Sequence, residues 1–416
     1  DILITSTADV TTDVNGVLTA DRHVTINADG NVTAAGTVTA NTDLGDNVGL
    51  VTINADFDND SAGNVDTDAL VRGESIVISG YSVAVDDVTA NNTASVGGTA
   101  IDVDAADSIN VGGTLTVSAN ADDIDLTAAA GSVTQDAGFD MLTAGTVDID
   151  ADGNVVLDGT IGSGTAIGTD VEINSTGGMI DLGGAISADG NIYADAEESI
   201  DVTGAVTLRA DADGGDAGDI RLRADYDGSG NADGDGQVSM VAGSTLQAEN
   251  ITLSGDDVIA DTLTADVSNT DTTGAGNVLV VAANDATFNN AVTAGNLVGT
   301  INITATEQDV VTQQDTDGVG PITAGTLFAG GAIAVTSGDD MTFGGSITSV
   351  NDGVTFVAGG DVETLAGATI SAVDTDAVGV AGLSSMTADG SVTLGDTVTV
   401  ADGITVRAKE NITVNA

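Results

Sequence analysis

Thr25-Ile26-Asn27-Ala28-Asp29-Gly30-Asn31-Val32-Thr33 is the stretch whose reading decides the fold. It holds a short strand of alternating apolar and polar residues, a turn of Ala-Asp-Gly, and the start of another strand. The phrase returns as Asp148-Ile149-Asp150-Ala151-Asp152-Gly153-Asn154-Val155-Val156. Ile186-Ser187-Ala188-Asp189-Gly190-Asn191-Ile192 and Met386-Thr387-Ala388-Asp389-Gly390-Ser391-Val392 follow the same rule. Such self-similarity marks a repeat architecture, in which each unit buries its apolar face against its neighbours.

Period-two alternation continues outward from this phrase. Thr116-Val117-Ser118, Ile124-Asp125-Leu126, Ile220-Arg221-Leu222, Ile301-Asn302-Ile303 and Ile412-Thr413-Val414 each alternate apolar and polar residues. One face is therefore buried and the other wet. Helical periodicity is nearly absent. Strand starts recur about every nine residues at Leu115, Ile124, Val133, Met141, Val147 and Val155. Two or three such strands make a coil of roughly 18–25 residues, and the chain is expected to hold about twenty coils. The expected fold is all-β: one continuous, elongated parallel β-helix over residues 1–416, right-handed. An antiparallel sandwich array competes, because Asp-Gly also closes hairpins. Strands shorter than the usual 5–6 residues favour the coil.

Composition agrees. Hydrophobic residues make up 41% of the 416, with 2% aromatics and no Trp, so the expected core is narrow and built from aliphatic stacks rather than large rings. Gly numbers 56 and Pro only one, Pro321. That suits many tight turns and few lost ladder donors. The longest apolar run, Val278 to Ala283, is far short of the ~20 residues of a membrane helix and reads as a buried strand.

Acids number 65 against 7 Lys and Arg, a formal charge of −58. Only eight acids are Glu, leaving 57 Asp. Asp serves turns by capping local backbone and binds hard cations; the same bias also suits a saline habitat. Partners that need basic patches, nucleic acid and anionic membranes, are excluded from the expectation. The chain has no Cys, and it opens at Asp1 in a strand pattern with no signal peptide, as a mature or excised segment would.

Acidic loops interrupt the phrase at 41–47, 56–68, 211–219, 225–236, 269–277 and 315–320, and read as insertions at coil corners. The strongest candidate cation site is the loop from Asp225 to Asp235, with Asp225, Asp227, Ser229, Asn231 and Asp233 at alternate positions. Its first half matches the start of a calcium loop, but Gly236 stands where the bidentate Glu belongs. Asp211, Asp213 and Asp216 form a second candidate, expected one coil away so that the loops stack and share an ion. Asp56, Asp58 and Asp60 form a third. Weak Ca2+ binding by at least one loop is weighed against solvated turns with no fixed ion. Arg209, Arg221 and Arg223 flank the most acidic loops and read as local charge neutralisation.

An enzyme is not expected. His23 is the only His, no thiol exists, and carboxylate pairs are too common to single one out. Both ends read as strand without a cap, as expected either of a piece cut from a longer shaft or of ends that stack head to tail into an open filament. Arg407 and Lys409 near one end could then meet Asp9 and Asp13 of another copy.

Gly153-Asn154-Val155-Val156-Leu157 and Gly218-Asp219-Ile220-Arg221-Leu222-Arg223-Ala224-Asp225 resemble the shaft repeats of filamentous-haemagglutinin-like exoproteins. The resemblance covers most of the chain and implies a β-helical, extracellular, cell-surface adhesin shaft exported by two-partner secretion. That family's Asn-Pro-containing secretion motif is not in this stretch, so the chain reads as an internal shaft segment or a different extracellular β-helix. The leading expectation is a structural solenoid that builds a surface fibre. The alternative is a shaft segment of a large adhesin, with receptor or glycan unknown, and a carbohydrate-active enzyme is third.

Overall fold

The computed structural model describes residues 1–41, 49–57, 62–91, 98–118, 122–162, 166–212, 218–225, 236–265, 276–295, 299–306, 310–312, 325–373, 384–401 and 403–415. Its secondary structure consists of short strands, with no helix among the described residues. Two compact units divide the chain, Asp1–Glu197 and Glu198–Ala416, and each is a parallel β-solenoid.

One coil illustrates the plan. Val24–Ala28 belongs to a first sheet, Val32–Ala34 to a second and Val38–Ala40 to a third. The Ala-Asp-Gly-Asn phrase is the corner between first and second sheets. It is not a hairpin, because Val24–Ala28 pairs in parallel with Ile2–Ser6 and Leu50–Asn54, one coil away on either side. Parallel neighbours need a crossover of a dozen or more residues, and the rest of the coil supplies it. The antiparallel alternative is thereby excluded.

Alternation determines what lies inside. In unit 1, Ile4, Ile26, Ile53, Ile78, Val103, Leu126, Ile149, Ile173 and Ala194 stack in register, one per coil. The equivalent row of unit 2 runs Leu222, Leu253, Val280, Ile303, Val335, Phe356, Met386 and Val406. Nearly all of these side chains are sealed from solvent, and each fully buried Val, Leu, Ile, Phe or Met among them is worth about 1.5–3 kcal/mol of apolar burial.

Short polar side chains fasten the corners. The Asp9 carboxylate accepts the Asn31 N–H at 2.8 Å, the Asn31 side chain accepts the Asn64 N–H at 3.0 Å, and the Asn64 side chain accepts the Ser82 N–H at 3.1 Å. Each residue just before a second-sheet strand thus caps its counterpart one coil on. Corner backbones also come too close for a side chain at some positions. A Cβ on Gly184 would lie 1.6 Å from the Gly159 carbonyl oxygen.

Three expectations need correction. Among the described residues 50 strands divide into no more than 17 per sheet, fewer than the twenty coils expected. Coils run longer because corners carry insertions: Met386 and Val406 are paired 20 residues apart, but Ile303 and Val335 are 32 apart. The interior is not purely aliphatic either. Phe288, Phe343 and Phe356 are fully buried in unit 2, and the last two stack with centroids 4.6 Å apart. Finally, Val278–Ala282 is only half buried, because Leu279 and Val281 point outward.

Candidate functional site

The residues expected to hold a cation divide into loop feet and loop bodies. Asp227, Ser229, Asn231, Asp233, Asp213, Asp216, Asp58 and Asp60 lie outside the described residues, as do most of 41–47, 269–277 and all of 315–320. The feet are described and share one property. Asn41, Asp56, Asp211 and Asp225 adopt left-handed backbone, with φ between 56° and 60°, at the residue or two before an insertion. Asn and Asp tolerate this conformation better than other residues with side chains. Asn41, Asp211 and Asp225 are also buried. Their placement marks them as the pivots at which the chain leaves the coil.

Asp211 and Asp225 do not stack one coil apart. They flank the same first-sheet strand, Asp219–Arg223, one at its third-to-first corner and the other at its first-to-second corner. Five residues of strand, about 16 Å, separate the two corners. Among the described residues no group of three or more His, Cys, Asp or Glu is placed to hold a metal ion.

Two buried glutamates, not singled out in the sequence, secure other loop feet. The Glu74 carboxylate accepts the Asn41 side-chain amide and the Gly49 N–H, the latter at 3.2 Å, and so joins both feet of the 42–48 insertion. Glu249 holds the same third-to-first corner in unit 2. Its N–H donates to the Gly218 carbonyl at 2.7 Å, and its carboxylate accepts the Gly276 N–H at 3.3 Å. The available sequence signal was a Glu in a chain where nearly every acid is Asp. Its longer side chain spans the corner.

The most strongly perturbed groups lie on the outer face of the first sheet of unit 1. Asp102, Asp125, Asp148 and Glu172 follow one another in register on successive coils, with Asp104 and Asp150 in the parallel row. Strand spacing puts neighbours about 4.8 Å apart. Partial burial, then Asp104 and Asp125, pushes the Asp102 carboxyl up to about 6. Burial, then Asp150, Asp125, Glu172 and Asp123, pushes Asp148 up to about 6. Burial raises Asp104 as well, and raises Asp125 against a partly offsetting hydrogen bond from Thr127. The rows are visible in sequence as Ile-Asp-Val-Asp, Ile-Asp-Leu and Val-Asp-Ile-Asp, but only the register aligns them.

An open groove of about 550 Å³ borders this face, lined in part by Asn54, Asp56, Phe57, Ser79, Asp104 and Thr127. The expected basic trio is split. Arg209 lies in the third sheet opposite Gln247, while Arg221 and Arg223 lie on the outer first-sheet face opposite Thr252 and Ser254. Lys409, read as a contact for another copy, forms an ion pair with Asp389 of the preceding coil. His23 stands just before Val24–Ala28, where its Nδ1 accepts the Leu50 N–H at 3.3 Å.

No family model, curated protein or solved structure matches the chain.

Proposed function

We propose that this chain is a structural, non-enzymatic β-solenoid that forms or extends a fibre on the cell surface. The observation that carries the reading is the in-register ladder of each unit, whose interior is filled by the protein's own side chains and whose outer face is regular from coil to coil. Solenoids of this kind serve as shafts and extended surfaces. In this reading the coils of each unit are right-handed, the hand of almost all strand–crossover–strand connections.

Head-to-tail association belongs to the same proposal. A stacked copy would extend the parallel ladders of the three sheets. Calcium held weakly by the acidic loops at 56–68, 211–219 and 225–236 rests on their sequence pattern. The second reading is a shaft segment of a filamentous-haemagglutinin-like adhesin, in which the same ladders belong to a longer polypeptide.

Electron microscopy of the purified chain, with calcium and then with a chelator, tests the proposal. Filaments of uniform width are expected, shortened or lost in chelator if calcium stiffens the joint. Single short rods in both conditions would remove end-to-end assembly and favour the adhesin shaft.

A further inference from the structure

The first sheet of unit 2 presents a face that the composition of the chain makes improbable. Seven successive strands build it: Asn250–Gly255, Val278–Ala282, Ile301–Ala305, Ile333–Ser337, Val354–Ala358, Ser384–Ala388 and Ile404–Ala408. None contains an acidic residue, in a chain with 65 acids. The longest comparable run in unit 1 is four strands, from Ile2–Ser6 to Ser75–Gly80.

Register resolves the face into two outward rows. One runs Thr252, Leu279, Asn302, Ala334, Thr355, Ser385 and Thr405. The other runs Ser254, Val281, Thr304, Thr336, Val357, Thr387 and Arg407. Most are small or β-branched, so the surface is flat. Leu279, Val281 and Val357 are 38%, 41% and 42% exposed. Acids return at once beyond the edge, with Asp256, Asp339, Asp340 and Asp389 at the first-to-second corner.

We propose that this face pairs side by side with the same face of a second copy of the chain. Charge selects the occupant. A basic partner would be drawn to the acidic rows of unit 1 and has no need of a face cleared of acids. A surface that is itself strongly acidic elsewhere can approach only where carboxylates are absent, and a second copy with a formal charge of −58 is such a surface. Area is sufficient. Seven strands of five residues cover about 34 by 16 Å, roughly 500 Å² per copy and about 1,000 Å² between two copies, the lower bound of a biological interface and the size of a weak, reversible one. Facing β-sheets pack about 10 Å apart when their side chains interdigitate, and these short side chains permit that approach. The acidic rim opposes pairing, so salt should favour it by screening the rim while leaving the apolar contact intact.

The test is sedimentation of the full chain over a series of salt concentrations, with electron microscopy of the same samples. Parent protein should double in mass as salt rises. Val281→Asp and Thr336→Asp each bring two carboxylates, one from each copy, into the covered face and should weaken pairing by more than about tenfold, with unchanged far-ultraviolet circular dichroism. Thr127→Asp, on the acidic face of unit 1, should pair like the parent. A parent that stays single at every salt concentration, or Asp variants that pair as well as the parent, overturns the proposal. Pairing is read from width and end-to-end assembly from length, so either can fail without the other.

Discussion

The first sheet of unit 1 between Thr99 and Ser175 and the first sheet of unit 2 between Asn250 and Ala408 share a ladder, a register rule and an inward row of Ile, Val and Leu. Their outward rows differ completely. The first stacks Asp on Asp at one coil pitch, and the second stacks Thr, Ser, Val and Ala. Like charges directly opposite across strands are destabilising, whereas β-branched and hydroxyl pairs contribute favourably. Outward chemistry is therefore free to vary over a fold that the inward rows hold in place. A solenoid can present an acidic surface on one stretch and a neutral, associative one on another without changing its backbone.

The largest effects should come from the part the two stretches share. Ile149→Asp in unit 1 and Val335→Asp in unit 2 each place an unpaired charge in a sealed interior row. Each should cost more than about 4 kcal/mol, read as loss of the cooperative denaturant transition. A much milder outcome in one unit would mean that its inward row does not carry the fold, and the comparison would fail at its base.

A smaller effect should separate the stretches by pH. Asp102 and Asp148, both raised to about 6, bind protons more tightly folded than unfolded. Stability should therefore fall as pH rises from about 4, the unfolded value, through about 6, and then level off. The groups facing them are Asp104, Asp123, Asp125, Asp150 and Glu172. Neutralising the row with Asp102→Asn, Asp125→Asn and Asp148→Asn should stabilise the chain at pH ~7 by on the order of 1 kcal/mol after solvent screening. Little difference should remain near pH ~4. Denaturant melts at several pH values measure this, and a triple variant that tracks the parent at every pH would show that the ladder carries no repulsion.

The smallest effect transplants the acidic character. Thr355→Asp with Ser385→Asp places two carboxylates in register on the neutral face of unit 2. The pair should cost a few tenths of a kcal/mol to about 1 kcal/mol at neutral pH and regain it on acidification. Equal stability at both pH values would make the neutral face no more sensitive to charge than the rest of the surface.

The repeat phrase around Ala28-Asp29-Gly30 was enough to read an all-β coil, because alternation with period two admits one buried face and Asp-Gly admits a sharp corner. The parallel sense was legible from strand length. Coil number was not, since insertions lengthen the coil without changing the strand phrase. Nor was the orientation of Val278–Ala282, in which all five residues are apolar and alternation is invisible. Glu74 and Glu249 were in view as residues but not as loop anchors, because their partners Asn41, Gly49, Gly218 and Gly276 are 25 or more residues away in the chain.

Sequence alone determined the strand phrase, the corner chemistry and the strongly negative charge. These are local or compositional properties, decided by residues within a few positions of one another or by their sum. Tertiary structure alone decided which outward side chains meet. Asp125 and Asp148 become neighbours, and Val281 comes to lie beside Thr304, only through a register set by coil length. Coil length in turn depends on corner insertions, which no strand's own sequence encodes. The acidic ladder and the neutral face are both products of that register.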